Sequence, residues 1–162
     1  MSKHSLSQEG AMALGRLPSG LFILTASRQG QETGLLVSWV QQCSFHPPLI
    51  TAALKRGRDV LAWLDPGAAF TLNLLGEGQT NFLSHFGKGF ALDQPAFVGL
   101  GVERRPGEGP ILSDAAGYLL CRVEARHPAG DHELFVASVE GGRLLQADAQ
   151  PMVHVRKSGL RY

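Results

Sequence analysis

Apolar residues recur along this chain at two spacings, one helical and one alternating. In SQEGAMALGRLP, Ala, Met and Leu fall at helical intervals behind Ser7, a capping type of side chain, and Pro18 ends the run. That predicts a short helix. GLFILTASRQGQETGLLVSWVQQCSF predicts a hairpin, with two β-prone runs flanking the turn-formers SRQGQE in a loop longer than two residues. LITAAL predicts the next strand, entered from Pro47-Pro48, where a helix does not start easily. RGRDVLAWLDPG puts Val60, Leu61 and Leu64 on one helical face, and AAFTLNLLG alternates with Phe70, Leu72 and Leu74 on one side. EGQTNFLSHFGKGF predicts a second helix, packed through Phe82, Leu83 and Phe86, with His85 towards solvent and Gly87 as its C-cap. GVERRPGEGPILSDA reads as the least ordered segment. GYLLCRVEARHPAGDHELFVASVEGGRLL predicts a second long hairpin around PAGD, and MVHVRK a terminal strand. Six or seven strands follow one another with few helices between them, so the pattern predicts an antiparallel barrel rather than a doubly wound parallel sheet.

Composition narrows the class. The 162 residues predict one domain, 1–162, with a real core. Lys plus Arg is 15 and Asp plus Glu is 14, a net charge of +1, so neither nucleic acid nor an anionic membrane is attracted broadly and charge-driven recognition must be local. Apolar runs break before the ~18 residues of a membrane span. MSKHSLSQEG lacks the apolar centre of an export signal, which predicts a cytoplasmic protein. Cys43 and Cys121 lie in apolar runs and read as two free, buried thiols.

Candidate chemistry gathers in Gly34 to Asp59. Lys55, Arg56 and Arg58 follow an otherwise neutral strand, with Gly57 allowing a sharp turn among them. Cations on a loop entering a helix suit a phosphate, and they suit a solvated helix start as well. Ser38, Trp39 and the polar run Gln41 to Ser44 interrupt an apolar strand. Buried polar groups there need partners that a ligand would supply; the competing reading is a core tryptophan beside an exposed sheet face. His132, in GDHEL at the start of a strand, is either a hydrogen-bonding group at a strand mouth or a surface turn residue. His127 and His132 have no partner at zinc-site spacing, so no metal is expected. Neither a phosphate loop, a dinucleotide Gly-x-Gly-x-x-Gly nor a Gly-x-Ser-x-Gly elbow occurs.

GRLPSGLFILTA, ETGLLVSWVQQCSFHPPLITAALKRGR, FTLNLLGEGQTNFLSHFGKGF, GDHELFVASV and PMVHVRKSGLRY resemble, in that order, the flavin reductase-like FMN-binding split-barrel family, especially the flavin reductase module of cyanobacterial flavodiiron proteins. The match runs from about Ala13 to Tyr162. The resemblance implies a mainly β fold, a six-stranded antiparallel Greek-key split barrel with two or three short helices, forming a homodimer with flavin near the interface. It implies that Ser38, Trp39 and Val40 line the ribityl chain and ring edge, and that Cys43 and Ser44 face the isoalloxazine above the bend at Pro47. Lys55 and Arg58 hold the phosphate, with Arg56 directed away, and the Phe86 to Gly89 turn lies near phosphate or ring. His132 becomes the catalytic residue, positioning the nicotinamide. The implied activity is NAD(P)H:flavin oxidoreduction, with FMN as cofactor (FAD in some relatives) and reduced flavin passed to an acceptor, which includes an unknown protein. Competing readings are an FMN-binding electron carrier reduced by a protein partner and a split barrel with a structural or haem-related role. Arg104, Arg105 and Arg126 are available for an NADPH 2′-phosphate or are ordinary surface arginines.

Overall fold

A computed structural model describes residues 5–162; residues 1–4, where the segment read above for export begins, lie outside it. Helix α1 is Gln8–Gly15, and the Ser7 side chain accepts a hydrogen bond from the Gly10 N–H at 3.1 Å as its cap. Strands β1 (Ser19–Gly20), β2 (Phe22–Arg28), β3 (Gln31–Val37), β4 (Val40–Ser44) and β5 (Leu49–Lys55) follow, then a 3-10 turn at Asp59–Trp63 and β6 (Ala69–Leu74). Helix α2 is Thr80–Phe86. Strands β7 (Val102–Glu103), β8 (Ile111–Leu112), β9 (Gly117–Ala129), β10 (His132–Leu144) and β11 (Val153–His154) complete the chain. Among the described residues no helix is long and apolar enough to cross a membrane.

Seven strands form one antiparallel sheet in the order β3-β2-β6-β9-β10-β5-β4. β6, β9 and β10 are neighbours in space and in sequence, while β5, which precedes them, lies beside β10. That is Greek-key connectivity. The outermost strands, β3 and β4, are joined by only Ser38 and Trp39. Three Cα steps from Val37 to Val40 reach at most about 11 Å. Seven strands laid flat would put those edges roughly 29 Å apart, so the sheet must curl into a barrel. Among the described residues no ladder joins β3 to β4, and the barrel stays split along that seam. The sheet has seven strands, one more than the six that the resemblance implies. The predicted second hairpin arm is divided at Ser38–Trp39, and its far half pairs with β5 instead.

Other expectations change in detail. The first hairpin loop is two residues long: Gln29 and Gly30 have φ of 52° and 79°, the left-handed pair that matches strand twist. Helix α2 ends at Phe86 with Gly87 as its C-cap, as expected; the cap keeps a right-handed helical conformation and donates to the Leu83 carbonyl, and the left-handed residue is Gly89 (φ 75°), whose N–H donates to the Phe86 carbonyl at 3.0 Å. His85 is half-buried, bonded through Nε2 to the Ala96 carbonyl at 2.7 Å and edge-on to Phe86. The terminal strand shrinks to Val153–His154, paired with Ser19 and Gly20.

Alternation along β2 divides the core. Leu24 and Ala26 face a barrel interior that includes Leu54, Phe70, Leu72, Val123 and Phe135. Ile23 faces outward into a second apolar cluster with Phe82, Phe86, Phe97 and Leu112 beneath α2. Helix α2 lies close over β3 because Gly34 has no side chain; a Cβ there would come within 2.6 Å of the Phe86 ring. The segment expected to be least ordered is pinned to the outer face by polar groups. Asn73, fully buried, accepts from the Leu112 N–H at 2.8 Å and donates to the Ile23 carbonyl. Thr25 and Thr71 donate to the carbonyls of Pro110 and Gly109 at 2.6 and 2.8 Å. Hydrophobic periodicity carries no trace of this network. Replacing Asn73 with Leu, similar in volume, should leave the Leu112 N–H unpaired and cost about 1–3 kcal/mol. Urea unfolding at unchanged slope is the check.

Candidate active site

Backbone register assembles the candidate residues before any side chain is considered. The first residue of β10, His132, pairs with the last of β5, Lys55. Gly57, at φ 82°, turns the chain so that Arg58 enters the 3-10 turn at the same rim. A cavity of about 370 Å³ opens there, with Leu35, Leu36 and Val37 of β3 on one side and Ala53, Leu54 and Lys55 of β5 on the other. Ser38, Arg58, Leu83, Gly87, His154 and Tyr162 complete its wall. A second cavity of about 310 Å³ shares Leu35 and Arg58 with the first and adds Gly57, Lys88, Gly89 and Phe90. Arg58 therefore stands between the two, and its Nη1 donates to the Lys88 carbonyl at 3.2 Å.

Four arginines among the described residues have carboxylate partners. Arg104 holds Glu32 through two bonds of 2.8 and 3.0 Å, and Arg122 holds Glu140 at 2.8 and 3.1 Å. Arg105 binds Glu103 at 2.6 Å and the Tyr118 hydroxyl at 2.9 Å. Arg126 is bonded to Glu133 and, at 2.8 Å, to the Leu61 carbonyl. The three arginines considered for a 2′-phosphate are thus committed to structural partners. Among the described residues, Lys55 and Arg58 have no carboxylate partner.

His132 is only 6% exposed. Its Nδ1 lies 2.7 Å from Asp131 Oδ1, and its Nε2 lies 3.0 Å from the Tyr162 hydroxyl. The hydrogen bond from His132 is the main reason that the Asp131 carboxyl sits below the usual carboxylate range. The Asp131 carboxylate accepts from Nδ1–H, and the tautomer so fixed offers Nε2 as the acceptor for the Tyr162 hydroxyl. Burial raises the Tyr162 hydroxyl above its ordinary value and keeps it a donor. Trp39 covers the imidazole at 4.6 Å between ring centres, and the Arg156 guanidinium lies 4.9 Å from the Trp39 ring centre.

Of the residues to which the resemblance gives flavin or nicotinamide roles, Ser38, Lys55 and Arg58 line one cavity and His132 pairs with Lys55 beside it; Gly89 lines the second cavity. Trp39 and Val40 border a shallow cleft just past Ser38. Cys43 and Ser44 do not line the 370 Å³ cavity. Ser44 pairs with Leu49, six residues or about 20 Å along β5 from Lys55. Phe86 lines neither cavity, its ring being fully buried in the cluster beneath α2. Arg56 is absent from the cavity wall. Tyr162, His154 and Arg156 escaped the sequence reading because a short, irregular tail carries no periodicity that points to a cavity.

Residues 14–160 match the family model described as the flavin reductase like domain. This chain belongs to the flavin reductase-like family. It is 36% identical to "Diflavin flavoprotein A 1" of Synechocystis sp. over 159 residues, which are 98% of this chain and 28% of that protein. This flavin reductase-like chain thus spans little more than a quarter of that relative's length. The styrene monooxygenase flavin reductase of Pseudomonas putida superposes with a TM-score of 0.74 at 30% identity, covering 89% of this chain and 90% of that one. An NADH:FAD oxidoreductase of Streptomyces globisporus shares the fold, with a TM-score of 0.80 at 19% identity over 89% of this chain and 85% of the other.

The two thiols of the flavin reductase-like chain, both expected to be buried, differ. Cys43 is exposed on an edge strand, whereas desolvation inside the barrel pushes the Cys121 thiol up to about 12. The raised value keeps Cys121 protonated in the folded chain through the range where an ordinary thiol ionises near 8.5. An aromatic disulfide reagent at pH 8 should therefore titrate Cys43 in the native protein and Cys121 only after denaturant is added, counted by absorbance.

Proposed function

We propose that residues 1–162 act as one NAD(P)H:flavin oxidoreductase unit with FMN as its cofactor. The observation that carries this reading is two cations without a carboxylate partner among the described residues, Lys55 and Arg58, in the wall of a largely apolar cavity, with His132 paired across from Lys55. The donor set fits FMN: an anion-binding end for a single phosphate, apolar walls from β3 and β5 for a flat ring system, and Ser38 for the polyol between them. Gly89 leaves room beside Arg58, since a Cβ there would stand 3.6 Å from its Nη1. Lys88 in the adjoining cavity leaves FAD open as an alternative flavin. When bound, the flavin supplies the redox chemistry, accepting hydride from a nicotinamide.

The protein's own part is positional. Lys55 and Arg58 anchor the phosphate by charge-assisted bonds. Leu35, Leu54 and Leu83 exclude water from the cavity. His132, oriented by Asp131, holds the nicotinamide edge at the rim. Cys43 and Ser44 are proposed to meet the flavin ring from β4, and Phe86 and Gly89 to shape the turn beside it. The working form is a cytoplasmic homodimer that passes electrons from reduced flavin to a downstream acceptor. One observation favours a second reading, an FMN-binding electron carrier reduced by a protein: His132 is covered, which leaves a nicotinamide no direct access.

Anaerobic mixing of FMN-loaded protein with NADH or NADPH decides between them. Bleaching of the oxidised flavin band far faster than in a protein-free control is the expected result; retained flavin without bleaching supports the carrier. Replacing Lys55 and Arg58 together by Ala should weaken FMN binding by about 2–4 kcal/mol, measured by titration. His132→Ala should slow flavin reduction more than it loosens FMN. Sedimentation should give twice the chain mass.

A further inference from the structure

His132 lies beneath two side chains, Trp39 and Tyr162, and only one of them is free to leave. Trp39 sits in the two-residue link between β3 and β4, its carbonyl accepts from the Ala53 N–H at 2.9 Å, and Arg156 stacks on its ring. Tyr162 is 67% exposed and held at the site by its hydroxyl on His132 Nε2 and a tilted contact with Trp39 at 5.7 Å. The tail that carries it is clamped to α1 as far as Gly159. The Arg156 N–H donates to the Gly15 carbonyl at 3.0 Å and the Gly159 N–H to the Ala11 carbonyl at 2.6 Å. A Cβ on Gly159 would come within 2.4 Å of Leu14, so that clamp is tight. Beyond it, Leu160 and Arg161 are exposed, and three residues reach about 10 Å, enough to carry the ring clear of the imidazole.

The bond that Tyr162 makes is one a nicotinamide can replace. Nε2 accepts from a phenol O–H, and a nicotinamide carboxamide presents an N–H donor to the same lone pair at the same rim. The tyrosine ring also occupies part of the 370 Å³ cavity wall beside Lys55 and Arg58. We infer that Tyr162 is a displaceable stand-in for the donor nucleotide's carboxamide, a residue that sets nicotinamide affinity by competing for His132 Nε2. This rests on the reading of His132 as the nicotinamide-binding residue. Tyr162 takes no part in hydride transfer; it determines how much of the protein has Nε2 available.

The test uses FMN-loaded protein and the oxidised nucleotides NAD⁺ and NADP⁺, whose binding is read by equilibrium dialysis without turnover. Tyr162→Phe keeps the ring and removes the donor. With FMN held at saturation, it should tighten binding of the accepted nucleotide about three- to tenfold, the worth of one neutral hydrogen bond. In steady state KM for the nucleotide should fall in the same direction. In a His132→Ala background the same change at Tyr162 should have no effect, a coupling that a merely structural tyrosine would not show. Wild-type or weaker nucleotide binding by Tyr162→Phe, with His132→Ala still impaired, would overturn the competition. Unchanged nucleotide affinity in His132→Ala itself would overturn the assignment of His132 and this inference with it.

Discussion

The shape of this protein depends on the shortness of one connection. Ser38 and Trp39 tie together the two strands that hydrogen bonding places farthest apart, and the sheet has no way to satisfy both conditions except by curling. The barrel, its interior core and its split seam follow from that constraint. So does the position of the site, because curling sets the end of β3 opposite the end of β5 across the seam. Hairpin register then adds His132 without any further requirement, as the residue that must sit across from Lys55.

Charge is distributed in a way that separates scaffold from site. Arginines on the barrel's outer faces are held by carboxylates in forked pairs, and such exposed pairs contribute little each, their median being about 0–1 kcal/mol. The cations left without carboxylates at the cavity face a concave, largely apolar wall, where an anion is weakly screened and a single contact counts for more.

Much of the fold was legible because β2 and β5 are β-prone apolar runs, β6 alternates, and PAGD marks its turn plainly. The division at Ser38–Trp39 was not legible. Val37 and Val40 flank it as any strand would continue, and only the tertiary demand to change pairing partners breaks the run. The loop around Gly109 reads as the least ordered segment because its anchors are polar and lie on distant strands, in Thr25, Thr71 and Asn73. In the site, Lys55, Arg58 and His132 stood out as charge or polarity at strand ends. Phe86 was drawn in by its neighbours although its ring serves α2 packing, and Tyr162 could be found only through the folded tail. Family likeness supplied roles for Cys43 and Ser44, and their distance along β5 from Lys55 is what the coordinates add.

The open seam has a consequence for the folded state as a whole. Because β3 and β4 exchange no ladder of hydrogen bonds among the described residues, their separation away from the Ser38–Trp39 link is governed by side-chain packing, and that is softer than a paired sheet. A molecule lodged between Leu35 of β3 and Leu54 of β5 takes the place of the missing ladder and fastens the two lips together. Occupancy and folding are thereby one equilibrium: a ligand bound at a hundredfold its dissociation constant adds about 2.7 kcal/mol to the stability of the barrel that holds it.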